Sequence, residues 1–377
     1  MDPSGTLRIG IACYPTVGGS GVMACALGEE LVRRGHEVHF FSYERPFRLP
    51  HDVPRLHFHR VDVNDYGLFK YPDYTLPLSV KMAEVSRQRH LDVMHVHYAV
   101  PHATAAVLAK AMLPHDHDLR IVTTLHGTDT TLLGRDPGYV AAIRHALHSS
   151  DAVTAVSDFL KLETQRLLEI DCPIETIHNF FMPRPVRRNS AEVRRELGID
   201  GEVLLFHSSN LRSVKRIDLL LEAAARLQTR QRFKLLILAG DKFGPFEAEV
   251  HRLGLTDRVI VRERVSDVED YLQTADLGLF TSEIESFGLS ILEGMWFARP
   301  SVAMQVGGIP EVIENNVSGM LTPFGDVDVF ANTVDALIDD PARRVAYGEA
   351  ARQQAERRFS ADVIVPQYEA LYRRICR

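Results

Sequence analysis

Two glutamates eight residues apart, Glu285 and Glu293, form the pattern in this 377-residue chain that points most directly to ligand chemistry. They flank Ser286-Phe-Gly288, and an apolar run begins at Leu289, so the pattern predicts a loop carrying the first glutamate and a helix carrying the second. Eight residues correspond to about two helical turns. A ligand lying along this helix start would meet both carboxylates, which accept hydrogen bonds from the vicinal hydroxyls of a sugar or ribose.

A basic pair, Arg212 and Lys215, follows the first predicted strand of the second half of the chain. Side chains three residues apart at a helix start share one face. A guanidinium fork and an ammonium on that face would hold a diphosphate. A solvated basic turn is the alternative. The later segment Gly307-Gly-Ile-Pro-Glu311 follows another predicted strand and favours the ligand-binding interpretation of the second half.

A glycine-rich loop, Tyr14-Pro-Thr-Val-Gly-Gly-Ser-Gly21, lies between the first predicted strand and a predicted helix. Gly18 and Gly19 would let the backbone approach a ligand, and the free N–H groups of the helix start would attract an anion. The loop matches neither the G-x-G-x-x-G pattern nor a P-loop. A tight strand-to-helix turn without a ligand is therefore the alternative.

Several histidines follow two neighbouring predicted strands: His95, His97 and His102 around the first, and His126 in His-Gly-Thr-Asp at the end of the next. A zinc site needs three or four converging ligands, and with 17 histidines in the chain chance proximity is common. We therefore expect hydrogen-bonding histidines here and no metal.

Short apolar runs alternate with amphipathic stretches along the chain, which predicts parallel sheets covered by helices. The alternation starts again at Val203, after the segment NFFMPRPVRRNS at 179–190, whose prolines and arginines predict a linker. The sequence thus predicts an α/β protein with two doubly wound domains. Ligands of such folds lie at the carboxyl ends of the strands, so we expect a cleft between the domains.

Composition excludes several classes of protein. The chain has 43 Lys and Arg against 50 Asp and Glu, a net charge of −7, so no basic excess favours nucleic acid or an anionic membrane. No apolar run approaches the ~18 residues of a membrane helix, and no signal peptide is expected. The positions of the four cysteines show no pairing pattern, which indicates reduced thiols and a cytoplasmic location. The oligomeric state stays open, a homodimer being one option.

Together these residues resemble the family-4 retaining glycosyltransferases of the GT-B fold. The E-x7-E pattern of Glu285 and Glu293, the Arg212/Lys215 pair, the Gly18-Gly19 loop, His126 and GGIPE occur in that family's order. The resemblance implies two Rossmann-like domains facing a central cleft. It places an acceptor-binding domain at 1–182, onto which a C-terminal helix at 361–377 packs back, and a UDP-sugar domain at 183–360.

Within that family, CYPTVGGSG, HVHYAVPHA and TTLHGTD are similar to the branch that begins the synthesis of bacillithiol, a low-molecular-weight thiol. This resemblance implies transfer of N-acetylglucosamine from UDP-GlcNAc to L-malate, without a metal or other cofactor. It implies front-face attack on the donor sugar, with retention of configuration at the anomeric carbon. The leaving phosphate oxygen would take the proton of the malate hydroxyl.

The resemblance also implies a role for each residue. The diphosphate would be neutralised by Arg212 and Lys215, the ribose bound by Glu293, the donor sugar by Glu285, and the sugar 6-hydroxyl by His126. Backbone N–H groups facing the donor would come from Gly18, Gly19, Ser286, Phe287 and Gly288. The malate carboxylates would be held by Thr16, Ser20, Tyr98 and Thr128.

Three other functions remain as alternatives. The first is a family-4 transferase with another acceptor, an inositol phosphate or a lipid. The second is a Rossmann dehydrogenase, which would need G-x-G-x-x-G and an acidic residue about twenty positions later. The third is a sugar-nucleotide-binding module without catalysis, against which the presence of Lys215, Glu285 and His126 argues.

Overall fold

The computed structural model describes residues 5–15, 18–63 and 73–377. It divides into two compact units, unit 1 comprising Met1–Asn179 with Ala361–Arg377, and unit 2 comprising Phe180–Ser360. Each unit is a parallel sheet with helices, which confirms the predicted α/β class with two Rossmann-like domains. The division after Asn179 lies three residues before the predicted boundary.

Unit 1 has a seven-stranded parallel sheet in the order β3-β2-β1-β4-β5-β6-β7. Its strands are β1 Arg8–Ala12, β2 Glu37–Ser42, β3 Leu56–Arg60, β4 Val93–His97, β5 Arg120–Leu125, β6 Ala152–Ala155 and β7 Ile174–Thr176. Its first five helices are α1 Gly19–Arg33, α2 Thr75–Arg89, α3 Thr104–Ala111, α4 Pro137–His148 and α5 Asp158–Leu168.

Unit 2 has a six-stranded parallel sheet in the order β10-β9-β8-β11-β12-β13. Its helices are α6 Ser190–Glu196, α7 Ile217–Arg226, α8 Glu247–Arg252, α9 Val268–Leu272, α10 Leu289–Trp296, α11 Ile309–Val312, α12 Val327–Ile338 and α13 Pro341–Phe359. Its strands are β8 Val203–Ser209, β9 Phe233–Ala239, β10 Val259–Glu263, β11 Leu277–Phe280, β12 Ser301–Met304 and β13 Gly319–Thr322.

Each sheet reverses its strand order at one place, between β1 and β4 in unit 1 and between β8 and β11 in unit 2. Ligands of doubly wound folds bind at the carboxyl ends of the strands beside such a switch point. The loops after β1, β4 and β5 carry the residues predicted to function in unit 1, and the loops after β8 and β11 carry those of unit 2. The topology therefore gathers each predicted set at one sheet edge.

Burial explains why the strands read as continuous apolar runs. In β9 every residue except Lys234 is buried, as expected for a parallel strand covered on both faces. The helix α7 buries Ile217, Leu220, Leu221 and Ala224 in the core of unit 2. This i, i+3, i+4, i+7 spacing is the apolar stripe of an amphipathic helix.

The first residues of the segment predicted as a linker are buried in the protein. Phe180 and Phe181 are buried, and the Phe181 N–H donates to the carbonyl of Phe359 at 3.1 Å. The helix α6 was not expected within or after this segment. Its start is marked by a capping box between Asn189 and Glu192, a signal readable in the sequence.

The last helix, α14 Ala361–Ile375, belongs to unit 1. Its Tyr372 hydroxyl lies 2.7 Å from Nδ1 of His95 on β4, and Nε2 of that histidine lies 2.6 Å from Oγ1 of Thr124 on β5. The Thr124 hydroxyl is in turn 2.7 Å from that of Thr154 on β6. All four groups are buried, so this polar chain anchors α14 across three strands.

Among the described residues, no helix combines the length and apolar character that crossing a membrane requires. None of the four cysteines forms a disulfide, and Cys13 and Cys25 are buried.

We predict that Tyr372→Phe lowers the free energy of unfolding of unit 1 by about 1–3 kcal/mol, because Nδ1 of the buried His95 loses its partner while the packing volume is kept. Urea denaturation measures the change. Tyr139→Phe, at a tyrosine 42% exposed, is the control and should unfold like the unchanged protein. Identical denaturation curves for the two variants would contradict the anchoring role.

Candidate functional site

The loop after β8 has a strained backbone around the predicted basic pair. Leu211 and Arg216 adopt positive φ angles of 54° and 51°, on either side of a 3-10 turn at Ser213–Lys215. Such conformations cost non-glycine residues about 1–3 kcal/mol each and persist where the surroundings impose them. Arg212 lies exposed at the start of this turn, and Lys215 ends it partly buried. The loop is therefore held in one shape.

A buried polar chain supports this loop from below. His207 on β8 is hydrogen-bonded through Nδ1 to the Leu279 carbonyl and through Nε2 to the Ser209 hydroxyl, both at 2.8 Å. The same hydroxyl accepts the Leu211 N–H at 3.2 Å. Burial lowers the pKa of His207 to about 4, so the ring is neutral at pH 7. Sequence reasoning missed His207 and Ser209, because a histidine and a serine inside a strand carry no distinguishing local signal.

The loops after β8 and β11 are tied directly to each other. The Thr281 hydroxyl reaches the Arg216 carbonyl at 3.0 Å, and the Glu283 N–H donates to the Val214 carbonyl at 2.8 Å. Because β8 and β11 are neighbours in the sheet, both loops leave the same edge. These bonds fix the distance between the segments that carry the basic pair and the first glutamate.

Lys215 and Glu285 form a hydrogen-bonded ion pair between these two loops. Both side chains are about one-fifth exposed, at 21% and 19%. Sequence reasoning gave them to different parts of a donor molecule and did not expect them to touch. The pair orients the ammonium and leaves its remaining N–H donors available for a ligand.

Gly307 and Gly308 allow the loop of Glu285 to lie where it does. A Cβ on Gly307 would collide with the Glu285 carbonyl, and one on Gly308 would come within 2.5 Å of the Ser286 carbonyl oxygen. The Gly308 N–H instead donates to the Glu285 carbonyl at 2.8 Å. The two glycines of the GGIPE motif thus allow the loop of Glu285 to pack closely against them, a role that only the tertiary structure shows.

The remaining unit 2 residues follow the predicted loop-to-helix arrangement. Gly288, at φ 102°, precedes α10, and Glu293 lies within that helix, partly exposed. Ser286 is also partly exposed. The Phe287 ring is buried against Phe359, with 5.5 Å between ring centroids, so this residue can offer a ligand only its main chain.

In unit 1, the buried carboxylate of Asp129 joins the loops after β4 and β5. It accepts the N–H of Ala99 at 3.0 Å and the N–H of Gly127 at 3.2 Å. Burial raises the pKa of Asp129 to about 6, against the lowering effect of these backbone hydrogen bonds. Sequence reasoning quoted this aspartate within His-Gly-Thr-Asp but gave it no role.

His97 and His126 form a hydrogen-bonded pair at the ends of β4 and β5. Nδ1 of His97 lies 2.8 Å from Nε2 of His126, and the rings are stacked. Burial lowers the pKa of His126 to about 3 and that of His97 well below its usual range, so both rings are neutral. Since His97 is buried and His126 partly exposed, the first holds the ring of the second in place.

The acceptor residues predicted in unit 1 are partly brought together. The Tyr98 hydroxyl donates to the Ser20 hydroxyl at 2.9 Å, and Tyr98 has a strained φ of 84°. Ser20 is the second residue of α1, which begins at Gly19, directly after Gly18. Thr128 is partly exposed at the start of the turn Thr128–Leu132. Thr16 lies outside the described residues.

Comparison with known families and structures shows the family and the fold of this chain. Residues 17–182 match the family described as Glycosyltransferase Family 4, and residues 189–354 match Glycosyl transferases group 1. A sucrose-phosphate synthase from Thermosynechococcus elongatus has a similar structure, with a TM-score of 0.80, 20% identity and coverage of 98% of this chain and 99% of the other. Anabaena HepE in complex with UDP-glucose has a TM-score of 0.80 at 21% identity, covering 97% and 99% of the two chains.

The chain belongs to the family-4 glycosyltransferases of the GT-B fold, and it is an enzyme of that family. Among its relatives, the N-acetyl-alpha-D-glucosaminyl L-malate synthase of Bacillus anthracis is 43% identical over 369 residues, which are 97% of this chain and 96% of the relative.

We predict that Gly308→Ala lowers the rate of glycosyl transfer about 100-fold, because the added methyl group pushes the loop of Glu285 out of position. Steady-state turnover of the sugar nucleotide measures the loss. Gly244→Ala is the matched control, since its Cβ would meet no atom within 4 Å. Equal rates for the two variants would show that the close packing of Gly308 against the loop of Glu285 is unimportant for the transfer reaction.

Proposed function

We propose that the protein is a retaining glycosyltransferase that moves N-acetylglucosamine from UDP-GlcNAc to the hydroxyl of L-malate, the first step of bacillithiol biosynthesis, in the cytoplasm. The observation that carries this proposal is the 43% identity, over nearly the full length of both chains, to a synthase of that name. The residues that the reaction would use are present, and their loops are fixed by internal hydrogen bonds.

Unit 2 would bind the donor through its charged loops. An ammonium has three N–H donors, so Lys215 can keep one on Glu285 and direct the others to phosphate oxygens. Arg212, exposed on the same turn, would add a planar fork for the same diphosphate. Fixed positive charge stabilises the charge that builds on UDP as it leaves. These two cations would do the work of a divalent metal, so no metal is required.

The rest of the donor would be held by neighbouring groups. Glu293 would accept hydrogen bonds from the ribose hydroxyls. Glu285 would accept hydrogen bonds from hydroxyls of the sugar, through the lone pairs that Lys215 does not use. Ser286, Phe287 and Gly288 would offer main-chain N–H groups, as Gly18 and Gly19 would from unit 1. The buried ring of Phe287 fits this purely main-chain role.

The neutrality of His126 suits a positively charged transition state. A glycosyl group passes through an oxocarbenium-like state, and an imidazolium beside it would repel that charge. Burial keeps the pKa of His126 near 3, so the ring can hydrogen-bond the sugar 6-hydroxyl without a positive charge. Front-face attack would follow, with the malate proton passing to the departing phosphate oxygen.

Unit 1 would bind malate at the start of α1. The free N–H groups of this 15-residue helix and the Ser20 hydroxyl would hold one carboxylate. Tyr98, already hydrogen-bonded to Ser20, and Thr128 would contact the other, with Thr16 completing the predicted set. A site with fixed donors for two carboxylates favours malate over an inositol phosphate or a lipid acceptor.

We predict that Lys215→Ala lowers kcat/KM at least 100-fold, in line with the ~2.7–4 kcal/mol that loss of one transition-state donor costs. Release of UDP from UDP-GlcNAc in the presence of malate measures the rate, and circular dichroism verifies the fold. Lys242→Ala removes an exposed lysine of the same unit and should keep the original rate. Unchanged turnover in Lys215→Ala would refute the role of this lysine.

We predict that EDTA leaves the transfer rate unchanged, because Arg212 and Lys215 supply the positive charge. The rate of UDP release is compared before and after chelation and gel filtration. Activity that disappears on chelation and returns with Mg²⁺ or Mn²⁺ would overturn metal independence.

We predict that lactate is a far poorer acceptor than malate and that succinate binds without reacting. Lactate leaves the donors for one carboxylate unpaired, at about 1–3 kcal/mol for each buried group, whereas succinate lacks the attacking hydroxyl. Product formation with each acid measures the first effect, and inhibition by succinate the second. Similar rates for lactate and malate, or turnover only with an inositol phosphate, would exclude malate while preserving the transferase assignment.

A further inference from the structure

A cluster of three side chains on unit 1 lies apart from the loops described above. Glu37 and His39 lie two residues apart on β2, and His57 pairs with His39 in the parallel register of β2 and β3. Alternate residues of a strand face the same side, so all three project from one face of the sheet. Glu37 begins β2 and His57 is the second residue of β3, so the cluster lies toward the amino ends of these strands, opposite to the loops of the candidate site.

The two distances from the Glu37 carboxylate to the imidazole nitrogens match the spacing of ligand atoms around a tetrahedral ion. Oε1 of Glu37 is 3.3 Å from Nε2 of His39 and 3.1 Å from Nε2 of His57. All three atoms lie within 4.8 Å of one another. Zinc binds imidazole nitrogen and carboxylate oxygen at about 2.0–2.2 Å, which puts the ligand atoms of a tetrahedron roughly 3.3 Å apart.

The His39 ring supplies the independent sign of a ligand. Its side chain is fully buried, and its Nε2 lies 3.3 Å from Oε1 of Glu37 without making a hydrogen bond to any described residue. An unpaired buried polar atom is unfavourable unless something satisfies it. The other ring nitrogen, Nδ1, lies 2.9 Å from Nε2 of His59. Metal-binding histidines are typically oriented in this way, through a hydrogen bond from the second nitrogen.

We propose that Glu37, His39 and His57 form a binding site for Zn²⁺. Two imidazoles and one carboxylate are a donor set that suits zinc, and three protein ligands leave a fourth position for water. His57 is 39% exposed and Glu37 29% exposed, which gives the ion a route from solvent.

The site would act on the stability of the sheet and not on the transfer reaction. Within the part of the chain that the structure describes, β3 is an edge strand of the seven-stranded sheet and pairs with β2 alone. An ion held by side chains of both strands would fasten this edge. The ion is separate from the charges proposed to act on the donor, so its removal is expected to lower thermal stability while the transfer rate stays unchanged.

The test uses the untagged full-length protein, stripped with a chelator and dialysed. Isothermal titration with Zn²⁺ should show one equivalent per chain, and Zn²⁺ should raise the thermal midpoint. His57→Ala and Glu37→Gln, at the two more exposed positions, should abolish both effects while retaining transfer activity. His148→Ala is the matched control, because it removes an exposed histidine that contacts Asp171 and the Arg144 carbonyl and lies outside the cluster, so this variant should bind zinc like the unchanged protein.

A second variant tests the geometry without touching a ligand. His59→Phe removes the hydrogen bond to His39 and should weaken Zn²⁺ binding roughly 10–100-fold, the usual effect of losing such an orienting group. Cobalt absorption spectra provide an additional readout, since four-coordinate Co²⁺ absorbs far more strongly than the hydrated ion. The proposal fails if the unchanged protein binds no Zn²⁺, or if His57→Ala and Glu37→Gln bind it as tightly as His148→Ala does.

Discussion

An ion pair between two loops, Lys215 with Glu285, is the interaction that joins the two predicted donor-binding segments of unit 2. It forms only if the loops after β8 and β11 are both held at fixed positions. The chain His207–Ser209–Leu211 supports the first loop from the sheet, and the glycines of GGIPE seat the second from the loop after β12. In the function that we propose, an ammonium arranged before substrate arrives would need no rearrangement during the reaction, which is the main source of electrostatic catalysis.

In unit 1, internal hydrogen bonds likewise hold the polar groups at the strand ends in place, but these groups carry little charge. At the ends of β4 and β5, the rings of the pair His97–His126 are neutral. The buried carboxylate of Asp129 is instead surrounded by N–H donors. Desolvation penalises the charged form of each of them. The result is a polar but uncharged surface at His126, in contrast to the charged loops of unit 2. A donor with a diphosphate and a sugar that becomes cationic would require this division.

The polar interactions inside the sheet of unit 1 carry further information. The chain from Tyr372 through His95 to Thr124 fastens the C-terminal helix, and every member of it has a partner. On β2, by contrast, Nε2 of the equally buried His39 has none among the described residues. Buried polar groups in folded proteins are nearly always satisfied. What leads us to assign His39 to a ligand is this unbonded nitrogen together with the Glu37 carboxylate and the His57 imidazole beside it.

The sequence by itself determined the class of fold, the repeat of two α/β halves and the family, because these depend on local apolar periodicity and on motifs of neighbouring residues. It also predicted that Arg212 and Lys215 follow a strand, that Glu285 lies in a loop and that Glu293 lies in the helix after that loop, as the structure shows. It could not show that Lys215 contacts Glu285, that two glycines support that loop, or that Asp129 joins two strand ends. Those contacts join residues from different strands, whose proximity is set by the order of strands in the sheet and by their burial. Only the tertiary structure decides that order, and with it which polar groups find partners.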